Sequence, residues 1–195
     1  MNYLAHLYLA GPEPEALLGA LMGDFVKGPL GERYPPAIGR ALALHRRIDT
    51  FTDAHPVTAR SRARVSPGRR RFAGIMVDLF YDHFLARDWD EHAEEPLDAF
   101  TSRVYALLDR HVALLPERLR SIAPRIGQFD WLGSYARIES VHAALDRMSL
   151  RITRENTLAG AAEELEVNYS AFEVDFRAFF PDVVRFAQEN KGRGT

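Results

Sequence analysis

Apolar residues recur at intervals of three and four along almost the whole chain, which is the spacing of one face of an α-helix. Between residues 13 and 26, one such stripe consists of Leu17, Leu18, Leu21, Met22 and Phe25. No segment alternates apolar and polar residues over the length of a strand. The spacing therefore predicts an all-α fold, built as a helical bundle.

Prolines and glycines divide this pattern into separate helices. Gly11-Pro12 and Gly28-Pro29 end the first two, whereas Pro36 and Pro56 suit the first turns of the next two. A long apolar helix, RRRFAGIMVDLFYDHFLARDW, is predicted after Pro67-Gly68. The stretch from Pro116 to Gly133 is irregular enough to suggest a lid or rim. Further helices are predicted at about 96–115, 136–152 and 158–179, with a short piece from Pro181.

The composition limits what these helices can build. A chain of 195 residues with 47% apolar and 27% charged residues can bury one good core, so we predict a single domain over 1–195. The absence of cysteine excludes a disulfide framework, a zinc–thiolate site and a thiol nucleophile. The sequence has neither a signal-peptide pattern nor a run of about 18 apolar residues, so we expect a cytoplasmic protein with no membrane contact.

Histidines and aspartates at helical spacing are the most informative polar residues. His45, Asp49 and Asp53 stand at i, i+4 and i+8, and so project from nearly one face of a helix. In the long apolar helix, Asp78 and Asp82 repeat the i, i+4 spacing. His83 follows Asp82 directly. Buried acids persist only when they are paired, hydrogen-bonded or bound to a cation, so these sets indicate a metal site.

Two further candidates come from the N-terminal helices. His6 lies in the apolar run YLAHLYL, and Asp24 follows the small residues Gly19, Ala20 and Gly23, which would let another helix approach closely. Each has an ordinary structural alternative, a core histidine for His6 and a helix cap for Asp24. For the whole set, the alternative is a salt-bridge network with Arg46 and Arg47.

Other patterns are weaker. Glu139 and His142 form an ExxH pair, but a di-iron site needs a second such pair, and the sequence has none. Nucleotide-binding loops and the GxSxG motif are also absent. Six arginines lie in twelve acid-free residues and form either a docking surface for a polyanion or an ordinary solvated face. No aromatic residue separates them, which argues against single-stranded nucleic acid, and we expect no nucleic-acid partner. They are Arg60, Arg62, Arg64, Arg69, Arg70 and Arg71.

Four ordered motifs, MNYLAHLYLA, GDFVKG, HRRIDTFTDAHP and DLFYDHFLARDW, resemble those of the acyl carrier protein phosphodiesterase family. The resemblance implies an all-helical fold distantly related to HD-domain metal-dependent phosphohydrolases. It also implies removal of 4′-phosphopantetheine from holo-acyl carrier protein with manganese or a similar divalent ion. Tyr8 replaces a histidine common in the first motif, and Asp82-His83 reverses the His-Asp pair of the superfamily. The positions that match the family's polar motifs are His6, Asp24, His45, Asp49, Asp53, Asp78, Asp82 and His83.

The reaction implied by this resemblance suits these residue types. Sulfur-free ligation by carboxylates and imidazoles favours Mn²⁺, with Mg²⁺ or Fe²⁺ as alternatives. Arg46 or Arg47 could hold a phosphate oxygen, and His6 or His83 could protonate the leaving serine oxygen. The acidic carrier protein would dock on the six arginines. Two other functions fit the same residues: an HD-like phosphohydrolase of nucleotides or other small phosphoesters, and a non-catalytic adaptor for an acidic protein. The sequence does not indicate the oligomeric state.

Overall fold

The computed structural model describes residues 1–30 and 33–191. The predicted domain, 1–195, therefore includes six residues outside the described ones. Helices account for all the regular structure of the described ranges, which confirms the all-α prediction. The helices are α1 (Tyr3–Ala10), α2 (Pro14–Met22), α3 (Pro36–Ala54), α4 (Pro56–Arg64), α5 (Ala73–Arg87), α6 (Leu97–Arg110), α7 (Glu117–Gln128), α8 (Trp131–Ser134), α9 (Ile138–Arg151), α10 (Glu163–Val167) and α11 (Tyr169–Asn190).

One hydrophobic core joins these helices into a single domain. The long apolar helix predicted from the sequence is α5, and it lies at the centre, with α1, α4, α9 and α11 packed around it. Its Phe80, Tyr81 and Phe84 are fully buried against Phe172 and Phe176 of α11. Because other helices pack against nearly every side of α5, its apolar residues can be buried on nearly every side.

Small residues allow α2 and α3 to approach closely, as the sequence predicted. A Cβ atom added to Gly19 would lie 2.4 Å from Cβ of Ala41 and 2.8 Å from the carbonyl oxygen of Ile38. Such distances exclude any side chain at Gly19 without a shift of α3. This contact brings the second half of α2 against the first two turns of α3.

Two boundary predictions are wrong. The stretch from Pro116 to Gly133 is not irregular: α7 passes through Pro124 and buries Leu119, Ala123 and Ile126 at helical spacing. Likewise, α11 continues through Pro181. Its apolar stripe extends past the proline to Val183, so burial on both sides outweighs the lost backbone hydrogen bond.

A buried carboxylate fastens α4 to α11. Asp175 is inaccessible to solvent and accepts hydrogen bonds from the Ser61 hydroxyl (2.8 Å) and from Nε of Arg60 (2.8 Å) and Arg64 (2.7 Å). These bonds lower the pKa of Asp175 although burial opposes its ionisation. The carboxylate is therefore a structural anchor between two helices that are far apart in the sequence.

Replacement of Asp175 by alanine is expected to lower the free energy of unfolding by about 2–3 kcal/mol. The loss stays below that of a fully buried ion pair because both guanidinium groups reach water. Urea unfolding measures it, with Asp182→Ala on the same helix as control. Asp182 makes only partly exposed pairs with Arg185 and His55, so its loss should cost less than about 1 kcal/mol. Equal stabilities of the two variants would contradict the role of Asp175 in anchoring α4 to α11.

None of the helices in the described ranges is both long and apolar enough to span a membrane.

Candidate metal centre

Two histidines and an aspartate from α1 and α3 meet in one cluster. Nε2 of His6 lies 3.0 Å from Oδ1 of Asp49, and Nε2 of His45 lies 3.3 Å from Oδ2 of the same carboxylate. The two imidazole rings stack, with centroids 3.6 Å apart and planes 14° apart. The three side chains thus offer ligand atoms that all lie within 4.8 Å of one another. We call these three residues, with Asp24, the His–Asp cluster.

Asp24 brings a second carboxylate to the cluster. The end of α2 tightens into a 3₁₀ turn over Gly23–Phe25, which carries Asp24 to the side of His45. Its Oδ1 lies 3.6 Å from Nε2 of His45, and its side chain is 41% exposed. The cluster therefore has a buried imidazole side and an open carboxylate side.

The backbone of α2 holds the ring of His45 in place. Nδ1 of His45 lies 2.8 Å from the carbonyl oxygen of Ala20, and a carbonyl can only accept, so Nδ1 carries a proton. Gly23 leaves room for the ring, since a Cβ atom there would lie 2.2 Å from Cγ of His45. The sequence had singled out Gly23 and Ala20 as small residues, but a backbone carbonyl leaves no signal in a sequence.

This tautomer favours positive charge at the His–Asp cluster. If His45 were neutral, its Nε2 lone pair would face the oxygens of Asp24 and Asp49, and acceptors would repel one another. Burial alone lowers the pKa of His45, but the nearby carboxylates of Asp24 and Asp49 raise it to about 9. Burial and the neighbouring His45 lower the pKa of His6 to about 4. A positive charge at Nε2 of His45, from a proton or from a metal ion, therefore stabilises the arrangement.

The donor set fits a divalent metal ion. Two atoms that each lie about 2.1 Å from a shared ion stand about 3.0–3.4 Å apart. The distances within the cluster, 3.0, 3.3 and 3.6 Å, are close to that spacing. The bond from His45 to the Ala20 carbonyl is also the outer contact that orients metal-binding histidines. Nδ1 of His6 is buried and has no hydrogen-bond partner within the described ranges.

Asp78 borders the cluster, whereas Asp53 stands outside it. The amino nitrogen of Met1 lies 3.4 Å from Oδ1 of both Asp49 and Asp78, so a positive group separates the two carboxylates. Burial raises the pKa of Asp78. Asp53, one turn beyond Asp49, has a 75% exposed side chain and pairs with Arg62 at 2.6 Å. The face predicted for α3 therefore contributes His45 and Asp49 but leaves Asp53 in solvent.

Asp82 stabilises the helix that carries His6. Its buried carboxylate accepts hydrogen bonds from the amides of Leu4 (2.8 Å) and Ala5 (3.1 Å) in the first turn of α1, the helix that carries His6. Burial raises the pKa of Asp82 to about 7, although both amides favour its charged form. Asp82 is thus placed as the anchor of α1 rather than among the ligand atoms of the cluster.

His83 points away from the cluster. Its Nδ1 lies 2.8 Å from the carbonyl oxygen of Tyr135, and its Nε2 lies 2.8 Å from the hydroxyl of Tyr169. Adjacent residues on a helix project about 100° apart. Tyr8 stands two residues after His6, so it projects about 200° away, and its hydroxyl donates to the carbonyl of His92 at 2.8 Å.

Arg46 and Arg47 make long-range contacts with the backbone. Arg46 donates to the carbonyls of Val26 (3.0 Å) and Gly28 (2.8 Å), which tethers the segment that follows Asp24. Arg47 donates to the carbonyl of Asn190 at 3.1 Å.

The six arginines of residues 60–71 largely face acids of the C-terminal part of the chain or backbone carbonyls. Arg60 and Arg64 bind Asp175, and Arg62 binds Asp53. The other contacts are Arg69 with Glu163 (3.3 Å) and Glu164 (3.6 Å), Arg70 with the carbonyls of Ala63 and Val65, and Arg71 over the ring of Phe72 (5.9 Å). Much of the positive charge that the sequence concentrates here is therefore compensated within the fold.

Within the described residues, the ExxH pair of Glu139 and His142 joins no group of three potential metal ligands. His142 makes a surface pair with Glu166 at 3.1 Å. The His–Asp cluster supplies the one group of potential metal ligands found within 1–30 and 33–191.

Comparisons with known proteins agree on one family. Residues 1–183 match the family described as acyl carrier protein phosphodiesterase. Three similar proteins carry that name. The protein of Serratia proteamaculans is 37% identical over 98% of this chain and 100% of its own length, and that of Yersinia pestis is 36% identical over 98% and 100%. The protein of Pectobacterium atrosepticum is 34% identical over 96% and 98%. No solved structure matches the chain.

Proposed function

The chain belongs to the acyl carrier protein phosphodiesterase family, and we propose that it hydrolyses the bond between 4′-phosphopantetheine and serine in holo-acyl carrier protein. The products would be apo-acyl carrier protein and 4′-phosphopantetheine. The observation that carries the proposal is the His–Asp cluster, because its four residues come from three of the motifs that carry the family resemblance. The activity is that of a hydrolase acting on a phosphodiester.

We further propose that His6, His45, Asp49 and Asp24 hold a divalent metal ion, with Asp78 at the edge of the site. Mn²⁺ suits this mixture of imidazoles and carboxylates, as do Mg²⁺ and Fe²⁺. When bound, such an ion supplies positive charge for the phosphodiester and promotes ionisation of water. Asp53 is assigned no ligand role because it is exposed and paired with Arg62.

The residues around the cluster orient its parts. The Ala20 carbonyl directs Nε2 of His45 toward the carboxylates, and Asp82 fixes the first turn of α1, which positions His6. Arg46 holds the segment after Asp24 and stands beside His45, so it is our candidate for binding a phosphate oxygen once substrate displaces a carbonyl contact. We assign no proton transfer to His83, because its two nitrogens face the carbonyl of Tyr135 and the hydroxyl of Tyr169.

The cytoplasmic location remains a prediction.

Mass spectrometry of the carrier protein tests this function. Incubation of holo-acyl carrier protein with the enzyme and Mn²⁺ is expected to remove the mass of the prosthetic group, leaving the apo-protein. A chelator should stop the conversion, and added Mn²⁺ should restore it. A panel of nucleotides and small phosphoesters serves as the comparison. Intact holo-protein in the presence of Mn²⁺, Mg²⁺ and Fe²⁺, together with turnover of a nucleotide, would instead support the small-phosphoester alternative.

A further inference from the structure

A groove between α7, α8 and α9 gathers arginines that are distant in the sequence. It encloses about 310 Å³ and is lined by Arg125, Arg137 and Arg147 together with Phe129 and Trp131. Arg151 lies one turn beyond Arg147 on α9, and both guanidinium groups cover the ring of Trp131, at 5.6 and 5.8 Å. Arg118 lies about two turns before Arg125 on nearly the same face of α7. We call Arg118, Arg125, Arg137, Arg147 and Arg151, with Phe129 and Trp131, the arginine groove.

Among the residues that the structure describes, no acid pairs with the arginines of the groove. All five of these arginines are exposed. Two nearby acids are occupied elsewhere: Asp130 accepts from the Tyr105 hydroxyl at 2.8 Å, and Asp146 accepts from the Gly160 amide at 2.9 Å. The groove therefore differs from the six arginines of residues 60–71, most of which already have acidic or carbonyl partners.

Large aromatic rings add to this surface. Phe129 is 56% exposed although Arg125 lies over its ring at 6.0 Å, and Trp131 is only half-buried. Arginine and tryptophan are the residues that most often dominate binding energy in protein interfaces. The combination indicates a surface for an acidic protein partner.

Tyr3 lies near the His–Asp cluster and is influenced by the charge of two groove arginines. Tyr3 begins α1, three residues before His6, and its ring stacks on Phe25, which follows Asp24, with centroids 6.1 Å apart. Burial and Asp24 raise the pKa of Tyr3 to about 12, while Arg118 and Arg151 act in the opposite direction. Tyr3 thus lies within electrostatic reach of a cluster carboxylate and of two groove arginines.

We propose that the arginine groove is the docking surface for the acidic carrier protein, so that the serine-linked arm reaches the His–Asp cluster past Tyr3. This inference rests on the proposed function. It places the docking surface on α7–α9, whereas the sequence had suggested the arginines of residues 60–71. Carboxylates of the partner would pair with arginines that have no acidic partner of their own, which speeds encounter and fixes orientation.

Double charge reversal in the groove tests the docking. The Arg147→Glu/Arg151→Glu variant is expected to raise KM for holo-acyl carrier protein by about tenfold or more at low salt. Its kcat should be unchanged, and the difference from the parent protein should shrink as salt screens the charges. Hydrolysis of a small chromogenic phosphodiester should also be unchanged, because that substrate does not use the groove. A KM equal to that of the parent protein, or equal losses with both substrates, would overturn the proposal.

A matched control carries the same change of net charge elsewhere. In Arg40→Glu/Arg185→Glu, both altered residues are exposed and lie on α3 and α11, away from the groove lining. This variant is expected to keep the parent KM. If it raises KM as much as the groove variant does, net charge alone accounts for the effect and the docking surface is wrong. A groove variant that loses affinity for a single-stranded oligonucleotide but keeps its KM for carrier protein would assign the groove to nucleic acid instead.

Binding without turnover separates this inference from the proposed function. Affinity for apo-acyl carrier protein, which has no bond to hydrolyse, can be measured by titration for the parent protein and both double variants. Weaker binding by the groove variant alone supports docking even if holo-protein is never cleaved. Cleavage of holo-protein with equal affinities for all three proteins would support the function and overturn the docking surface.

Discussion

Replacement of Asp49 by alanine is expected to lower kcat/KM for holo-acyl carrier protein by about 10³-fold, the scale of loss seen when one charge-stabilising group leaves an active site. Asp49 is the residue that both imidazoles contact, through Oδ1 for His6 and Oδ2 for His45. Hydrogen bonds from both rings lower its pKa although burial opposes ionisation, so it is a carboxylate at neutral pH. Its removal takes away the carboxylate that joins His6 of α1 to His45 of α3.

Two measurements accompany the kinetics. Metal content after purification without chelator should fall in Asp49→Ala, and likewise in Asp24→Ala and His45→Ala. Because an ion that binds only the folded state stabilises it by mass action, the rise in Tm produced by Mn²⁺ should also disappear. Asp53→Ala is the control, since Asp53 lies one turn further along α3 and contacts Arg62. It should keep its activity and its metal. Unchanged turnover in all three cluster variants would place the site elsewhere.

Replacement of Gly23 by alanine is expected to lower kcat/KM by about 100-fold, because a catalytic group displaced by about 1 Å loses activity on that scale. The new Cβ would lie 2.2 Å from Cγ and 2.3 Å from Nδ1 of His45. The ring has to move, and the hydrogen bond from Nδ1 to the Ala20 carbonyl is lost with it. The free energy of unfolding should fall by about 1–3 kcal/mol through overpacking.

Two further variants show whether the clash with His45 is the cause. Gly39→Ala lies inside α3, where an added Cβ meets no atom within 4 Å. It should stabilise the protein by about 0.5–1 kcal/mol and leave activity intact. In a His45→Ala background the imidazole is absent, so Gly23→Ala should then have little effect on unfolding. A full stability loss in that background would mean that Gly23 acts through something other than His45.

Local features of the fold could be predicted from the sequence because they depend on residues close along the chain. Helical periodicity decides which segments bury one face, so the helical class and the central apolar helix α5 were predictable. The pairing of His45 with Asp49 follows from the same i, i+4 geometry. Small residues at Gly19 and Gly23 indicated a close helix contact, and the family could be identified from four short motifs.

Only the tertiary structure decided which polar residues share a site, because that depends on how the helices are rotated against one another. Asp82 and His83 are neighbours in the sequence, yet one anchors the amides of α1 and the other faces Tyr135 and Tyr169. The sequence could not show whether the arginines at 60–71 are paired inside the fold, because their partner Asp175 lies more than a hundred residues away. The arginine groove, in turn, is assembled from residues scattered over three helices. Spacing along one helix sets which side chains share its face, whereas the packing of the helices sets what that face meets.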